Sequence, residues 1–437
     1  MKKHDVRNTL GGTATLGSID WLAECLGRAP HKPSPDEHLA TMRSDLAETE
    51  AVVIFGAGSG GRRTYKELRA RNVTVAHFID NFATGDVDGI PIFTPQDAPD
   101  CDHPIILAST WFVDVYHQLT AVEQRYASRR IIPVPDCAFI TMTIFDDMVG
   151  RPFFDVFDRR LADFQRVYEL WDDDASRLTY ARILAYRLGF FAPESLRSSD
   201  FPCPPDVYEQ TAKPVPELPH TLDDGIKRAI AATFAHPHYW LDGFITPQPG
   251  DVVFDGGAWE GDTTYWYAQH CQPSGHIYAF EPSPFNFDRL SQNIEKMNCT
   301  GRITPVCQGL SSSPGEAVWT EMNDDAGTCS RISNDPNDGQ RISLTSIDTY
   351  VQKHGLKRLD MIKMDLEGAD FDALQGSKNT IAAFHPDLAI SMYHKADHLV
   401  DIPLWILENF PEYRMRISHN HVGVNESICM ATARGEC

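Results

Sequence analysis

The stretch DVVFDGGAWEGDTT, residues 251–264, decides how this chain is read. Val252, Val253 and Phe254 form an apolar run of strand length that ends on Asp255. Gly256 and Gly257 follow, and their missing side chains permit a tight turn and close approach of a ligand to backbone N–H groups. Gly261 and Asp262 then open a helical segment, with Asp262 placed as the N-cap ahead of its free amides. Strand, glycine turn and helix start, in that order, make the first half of a ligand-binding βαβ unit.

Working outward, HIYAFEPSPFNFDRL (276–290) supplies a second strand ending on Glu281, about 20 residues after the glycine turn, where an acid accepts hydrogen bonds from ribose hydroxyls. Pro282 and the segment to Asn286 border the adenine in this reading. In DMIKMDLEGADFDALQG (360–376), Asp365 ends a buried strand and Glu367 starts the following turn, so both carboxylates emerge at the ligand-binding edge of the sheet. They can orient a donor's ammonium, take a proton from an acceptor hydroxyl or hold a divalent metal, and Glu367 can equally cap the next helix. His394 ends the strand 387–393 at the same edge. A pKa near 6.5 suits it to proton abstraction, and a local hydrogen-bonding role is the alternative. Local roles are expected for His398, His419 and His421. The glycine turn suits the methionine end of S-adenosylmethionine, whose carboxylate meets backbone amides while its ammonium seeks an acid or a carbonyl.

In this order and spacing, DGGAWEGDTT, YAFEPSPFNFDRL and KMDLEGAD closely resemble the FkbM family of methyltransferases. The resemblance spans about 239–434 and takes in SIDTYV (346–351), AISMYHK (389–395), YRMRISHNH and NESICMAT. It implies a class I, seven-stranded methyltransferase fold and methyl transfer, usually to oxygen, on sugars, polyketides or related metabolites. Carried over, Asp255, Gly257 and Gly261 line the methionine moiety, Glu281 the ribose, and Asp365 and Glu367 the methyl-transfer end. Two positions depart from the family: Gly256 fills the variable place of the usual D-x-G-A, and Asp370 replaces the usual glutamate of EGAE, which weakens inference about that carboxylate.

Towards the N-terminus, AVVIF (51–55), VTVAHFID (73–80), HPIILAS (103–109) and RIIPV (130–134) give the strand and helix alternation of a small parallel α/β domain. Its GAGSGG loop meets G-x-G-x-x-G through Gly56, Gly58 and Gly61, and Asp80 ends the next strand, completing a dinucleotide fingerprint. With FIDNFATGDVDGIPIFTPQDAP, however, this domain resembles the nucleotide-binding domains that precede sugar-modifying enzymes. Docking of a nucleotide or nucleotide-sugar, or a purely associative role, ranks ahead of nicotinamide chemistry, because no second acid/base set accompanies this half. Helical spacing in FFDVFDRRLADFQRVYELW and SRLTYARILAYRLGFF marks a connector, interrupted by a proline-rich stretch at 201–220. The expected architecture is α/β: a polar extension at 1–48, a Rossmann-like domain at 49–140, a helical connector at 141–238 and the methyltransferase domain at 239–437.

Composition narrows the partners. The net charge is −22, from 61 acidic and 39 basic residues, with no basic block, which argues against nucleic acid and for a small-molecule or glycan substrate. Ten scattered cysteines point to reduced thiols and a cytoplasmic setting, and no run of about 18 apolar residues suggests a membrane span. A homo-oligomer is left open. Asp365, Glu367 and Asp370 offer hard oxygen ligands, but no full cage is visible and an obligatory metal is not expected. The leading expectation is O-methylation of a hydroxyl on a sugar, glycan or related metabolite, with Asp365, Glu367 or His394 assisting deprotonation. The alternatives are a nicotinamide-dependent oxidoreductase and a non-catalytic nucleotide-binding scaffold.

Overall fold

The computed structural model describes residues 49–70, 72–108, 115, 118–119, 124–126, 129–133, 150–189, 212–236, 238–321, 330–333, 339–420 and 426–435. The extension 1–48, residues 201–211 of the proline-rich stretch, His421, and residues 322–329 and 334–338 lie outside the described residues. The chain divides between two compact units, one drawn from Met1–Leu161, Tyr180–Pro205 and Val422–Val424, the other from Ala162–Thr179, Asp206–His421 and Asn425–Cys437.

In the first unit, β1 (Val52–Phe55), α1 (Ser59–Ala70), β2 (Val75–Ile79), β3 (Gly85–Val87), β4 (Ile90–Phe93), β5 (Ile105–Leu107) and β6 (Ile131–Pro133) build a six-stranded sheet of order β3-β4-β2-β1-β5-β6. Every pairing is parallel except the β3/β4 hairpin. Alternation along β1 divides its side chains between two cores: Val52 and Ile54 join Leu68 and Phe78, while Val53 and Phe55 join Ile79, Leu107 and Tyr126. A strand buried on both faces reads as a continuous apolar run, which is why AVVIF is legible. The helices α2 (Gly150–Arg159), α3 (Leu161–Leu170), α4 (Asp174–Gly189) and α5 (Asp224–Ala235) follow along the chain.

The second unit continues with β7 (Val252–Gly256), α6 (Asp262–His270), β8 (His276–Phe280), α7 (Pro284–Lys296), β9 (Ile303–Val306), β10 (Gly309–Leu310), β11 (Gly315–Glu321), β12 (Ser330–Ser333) and β13 (Gln340–Thr345). After these come α8 (Ile347–His354), β14 (Met361–Met364), α9 (Asp370–Gln375), α10 (Lys378–Phe384), β15 (Asp387–Ser391), α11 (His398–Asn409), β16 (Arg414–His419) and β17 (Ser427–Thr432). Its main sheet has the order β16-β17-β15-β14-β7-β8-β9, parallel except for β17, which runs antiparallel to both neighbours. The order reverses between β7 and β14, and in open α/β sheets that switch point leaves a crevice at the carboxyl ends of the strands. Register puts Asp255 beside Lys363 and Gly256 beside Met364 there.

Local chemistry fixes the helix starts. Ser283 caps α7, its hydroxyl accepting from Asn286 N at 3.4 Å, with Pro284 in the first turn where its missing N–H costs nothing. Ser346 caps α8 in the same way. At α6 the expectation needs correcting: the N-cap is Gly261, left-handed at φ +101°, and Asp262 is the first helical residue. The left-handed turn suits glycine, and the Asp262 carboxylate instead accepts from the Thr233 hydroxyl at 3.1 Å.

A second sheet has the order β10-β13-β11-β12. β11 pairs antiparallel with β12 and β13. Along β13, Gln340, Arg341 and Ser343 are exposed while Ile342 and Thr345 are buried, so the period-two signal is short and diluted. Among the described residues no helix is long and apolar enough to cross a membrane.

Candidate active site

The turn after β7 accepts only glycine. Gly257 has φ +72°, and a Cβ there would lie 1.9 Å from the carbonyl oxygen of Asp365, while one on Gly256 would meet Leu310 Cδ1 at 2.8 Å. The turn after β7 and the turn after β14 therefore touch through backbone.

Asp255 is fully buried. Lys363 Nζ stands 2.9 Å from its Oδ1, and the hydroxyls of Thr263 and Thr264 donate to its Oδ2 at 3.0 and 2.6 Å. The same ammonium donates to the carbonyls of Gly256 and Gly257 at 3.0 and 2.9 Å. Burial works against the charge on Lys363, but the carboxylates of Asp255 and Asp365 hold its pKa above the ordinary lysine value. Asp255 thus acts on the turn through a buried ion pair and two hydroxyls, and Lys363, a charge inside an otherwise apolar strand, is a residue that the sequence reading passed over. A lysine is almost never buried unpaired, so its position in DMIKMD was an available signal.

Glu281 is also buried. Its two oxygens accept from Trp259 N at 3.0 Å and Ser283 N at 2.9 Å, and burial outweighs these bonds and pushes its pKa up to about 7. Pro282 lies against Gly309, where an added Cβ would meet it at 3.5 Å. Burial likewise raises the pKa of Asp262.

Asp365 collects the donors of the site. Tyr239 Oη donates to its Oδ2 at 2.6 Å, Tyr393 Oη to its Oδ1 at 3.0 Å, and His394 Nε2 stands 3.2 Å from Oδ1. Burial opposes its ionisation, yet the hydrogen bond and charge of His394 hold its carboxyl well below the usual range. On its other side, His394 Nδ1 is 2.8 Å from Asp370 Oδ2, and Asp370 in turn accepts from Leu366 N at 2.8 Å and Gly368 N at 3.1 Å. Burial alone would keep the imidazole neutral, but Asp370 and Asp365 raise its pKa well above the ordinary value. The expectation of a histidine titrating near 6.5 therefore needs correcting: flanked by two carboxylates, His394 keeps its proton. Glu367 has φ +51° and reaches within 3.8 Å of His394 Nε2, while the cap of α9 is Ala369.

Asp365, Asp370 and His394 bring potential ligand atoms within 4.8 Å of one another, so His394 stands where the sequence reading had Glu367 among the candidate metal ligands. The imidazolium already supplies a countercharge to both acids.

Glu426 was also missed. Glu426, at φ +60° just before β17, points Oε2 to within 3.5 Å of the Tyr239 hydroxyl and 3.8 Å of His238 Nδ1. Burial and the charge on Asp365 push its pKa up to about 8.

In the N-terminal unit, Gly56, Gly58, Gly61 and Asp80 are brought together. A Cβ on Gly61 would fall 1.8 Å from the carbonyl oxygen of Gly56, whereas Gly58 is open. Asp80 Oδ2 accepts from Ala57 N, and Oδ1 from Phe82 N and Ala83 N, each at 2.8 Å. Burial pushes its pKa upward, but these amides bring it below the usual carboxylate value. The carboxylate read as a ribose ligand ties its own strand end to the glycine loop.

Glycine turn, buried strand-end acid and the carboxylates after β14 fall in one stretch that matches a known family. Residues 250–421 match the methyltransferase FkbM domain. The FkbM domain holds Asp255, Gly256, Gly257, Gly261, Asp262, Glu281, Pro282, Asp365, Glu367, Asp370 and His394, with Tyr239 and Glu426 lying just outside its matched limits. Hexuronic acid methyltransferase AglP of Haloferax volcanii is 29% identical over 134 residues, 31% of this chain and 53% of that protein. The 2-O-methyltransferase NoeI of Sinorhizobium fredii is 22% identical over 31% of this chain and 61% of its own length. The chain thus spans little more than half the length of these curated relatives. A crystal structure of methyltransferase FkbM from Methylobacillus flagellatus matches 98% of this chain and 99% of its own at a TM-score of 0.64 and 19% identity, which shows a shared α/β fold.

Proposed function

We propose that this protein is an S-adenosylmethionine-dependent methyltransferase that O-methylates a hydroxyl of a sugar, glycan or related small metabolite. The name of AglP supports a sugar acid as acceptor, and that of NoeI supports transfer to oxygen. The observation that carries the reading is the contact of the Gly257 turn with the Asp365 backbone, flanked by the buried carboxylate of Glu281, at the point where strand order reverses. The strand order supports a class I methyltransferase sheet, joined through the helices of 141–238 to a second Rossmann-like domain.

The residues present fit the donor. The glycine turn lies at the carboxyl end of β7, where the strand order reverses, and a buried acid at about 7 gains from hydroxyl donors such as those of a ribose. The group would supply an electrophilic methyl on a positively charged sulfur. Gly256, Gly257 and Gly261 hold its amino-acid end, Glu281 its ribose and Pro282 the side of its adenine, while Asp255 and Asp262 fix the turn and helix start. Asp365, held ionised by Tyr239, Tyr393 and His394, sets the polarity of the reacting end; Glu367 orients the acceptor hydroxyl. Alignment of the two reactants carries most of the rate gain in such a displacement.

For the N-terminal loop at Gly56, Gly58, Gly61 and Asp80 we favour a nucleotide or nucleotide-sugar over nicotinamide chemistry, since both oxygens of Asp80 serve backbone amides.

The test is isothermal calorimetry with S-adenosylhomocysteine, followed by transfer of labelled methyl from S-adenosylmethionine to a panel of neutral and acidic sugars, free and nucleotide-linked. Micromolar binding and a methylated product are expected. Absence of heat with both donor and demethylated product, on folded protein, removes the assignment.

A further inference from the structure

Glu426 stands at the reacting edge and has no part in the catalytic reading. Asp365 and Glu426 converge on one phenol, with Tyr239 Oη 2.6 Å from Asp365 Oδ2 and 3.5 Å from Glu426 Oε2. Glu367 adds a third carboxylate within 3.8 Å of His394. His238 Nδ1 stands 3.8 Å from Glu426 Oε2, and Lys363 and His394 have partners of their own. Lys363 serves Asp255 and two turn carbonyls, and His394 lies between Asp365 and Asp370. Two carboxyls sharing one phenol disfavour each other's ionisation, and the arrival of a cation relieves this. Glu426 retains about a quarter of its side-chain surface and Asp365 slightly less, so neither is closed off from solvent.

We propose that Asp365 and Glu426, bridged by Tyr239, form a pair of acids that recognises the positive charge on the donor's sulfur, so that the site selects the charged methyl donor over its neutral demethylated product. This rests on the methyltransferase reading and deepens it. The donor and the product share adenine, ribose, carboxylate and ammonium, and differ in the sulfonium charge and the methyl group. A preference that depends on Glu426 therefore reports the pair and nothing else in the pocket. It also gives turnover a direction, because loss of the charge on transfer removes the attraction that held the ligand.

The experiment compares three ligands by calorimetry at pH 8.5, where Glu426 is ionised: S-adenosylmethionine, sinefungin, which carries an amine cation in place of the sulfonium, and S-adenosylhomocysteine. In the wild type both cations should bind about tenfold more tightly than the neutral product, the ratio expected of one favourable charge contact. Glu426→Gln, and Glu426→Asn as a second variant suited to a positive φ, should bring that ratio to within about twofold while the affinity for S-adenosylhomocysteine stays close to wild type. Equal affinities in the wild type, or a ratio unchanged in both folded variants, overturn the charge-selecting pair. If none of the three ligands binds, the donor site itself is wrong and the inference falls with it.

Discussion

Lys363 Nζ stands 2.9 Å from Asp255 Oδ1 in a pairing that is buried on both sides, and the same ammonium grips the two carbonyls of the glycine turn. One side chain thus ties β14 to β7 and sets the path of the chain past the switch point. Lys363→Met leaves Asp255 charged and without its cation in the interior. A loss of about 3–5 kcal/mol is expected, read as a lower urea midpoint of the C-terminal unit. Lys363→Met combined with Asp255→Leu should recover much of that stability while S-adenosylhomocysteine binding stays weak, because the turn carbonyls remain unheld. Full binding in the double variant would show that the turn keeps its shape without them.

The strands β7, β8, β14 and β15 and the turns that follow them were legible because each is local. Buried parallel strands are continuous apolar runs, and Asp255, Glu281 and Asp365 end three of them where the chain must turn. The partners of Asp365 were not legible. Tyr239 and Asp365 lie 126 positions apart, Tyr239 and Glu426 187, and only the order of the folded sheet brings them together. His394 was found as a strand-end residue, but its protonation depends on Asp370, whose backbone bonds to Leu366 and Gly368 no spacing rule reveals. The N-terminal fingerprint shows the converse: the motif is present, and Asp80 is engaged by the chain's own amides.

Gly257→Ala should damage the site more than its size suggests. A Cβ at φ +72° is strained, and here it would also press on the Asp365 carbonyl oxygen. A stability loss of at least about 1–2 kcal/mol is expected, with S-adenosylhomocysteine affinity falling by about two orders of magnitude as the two turns separate. Calorimetry on folded protein decides it; wild-type affinity would mean that the turn has room to spare.

Glu281 gives a pH signature of definite sign. Burial raises its pKa from 4.5 to about 7 in the folded protein, so the folded state holds a proton that the unfolded chain releases, and stability falls as pH rises from about 4.5 to 7. Above pH 7 the buried charge destabilises by about 3 kcal/mol. Glu281→Gln should therefore raise the urea midpoint at pH 8, leave it unchanged near pH 4, and still abolish tight S-adenosylhomocysteine binding. A variant with the same midpoint as wild type at pH 8 would show that Glu281 carries no buried charge.

His394 titrates in the opposite sense. Its pKa is raised above 6.5 by Asp370 and Asp365, so its pairing stabilises the fold fully below the unfolded value and is lost only as pH climbs through the folded one. Asp365 and Asp370 are both lowered, so at the acid end the contribution disappears as these carboxylates take up protons, below their ordinary values. His394→Asn leaves two buried acids facing each other. A cost of about 3–5 kcal/mol is expected between pH 5 and 7, shrinking as the pH is taken well above 7, with turnover falling more than donor affinity. Urea midpoints of wild type and variant measured from pH 5 to 9 give the comparison. A difference that stays constant across that range would mean that His394 holds its place as a neutral ring, and that the charge on Asp365 is balanced by Lys363 and the two tyrosines alone.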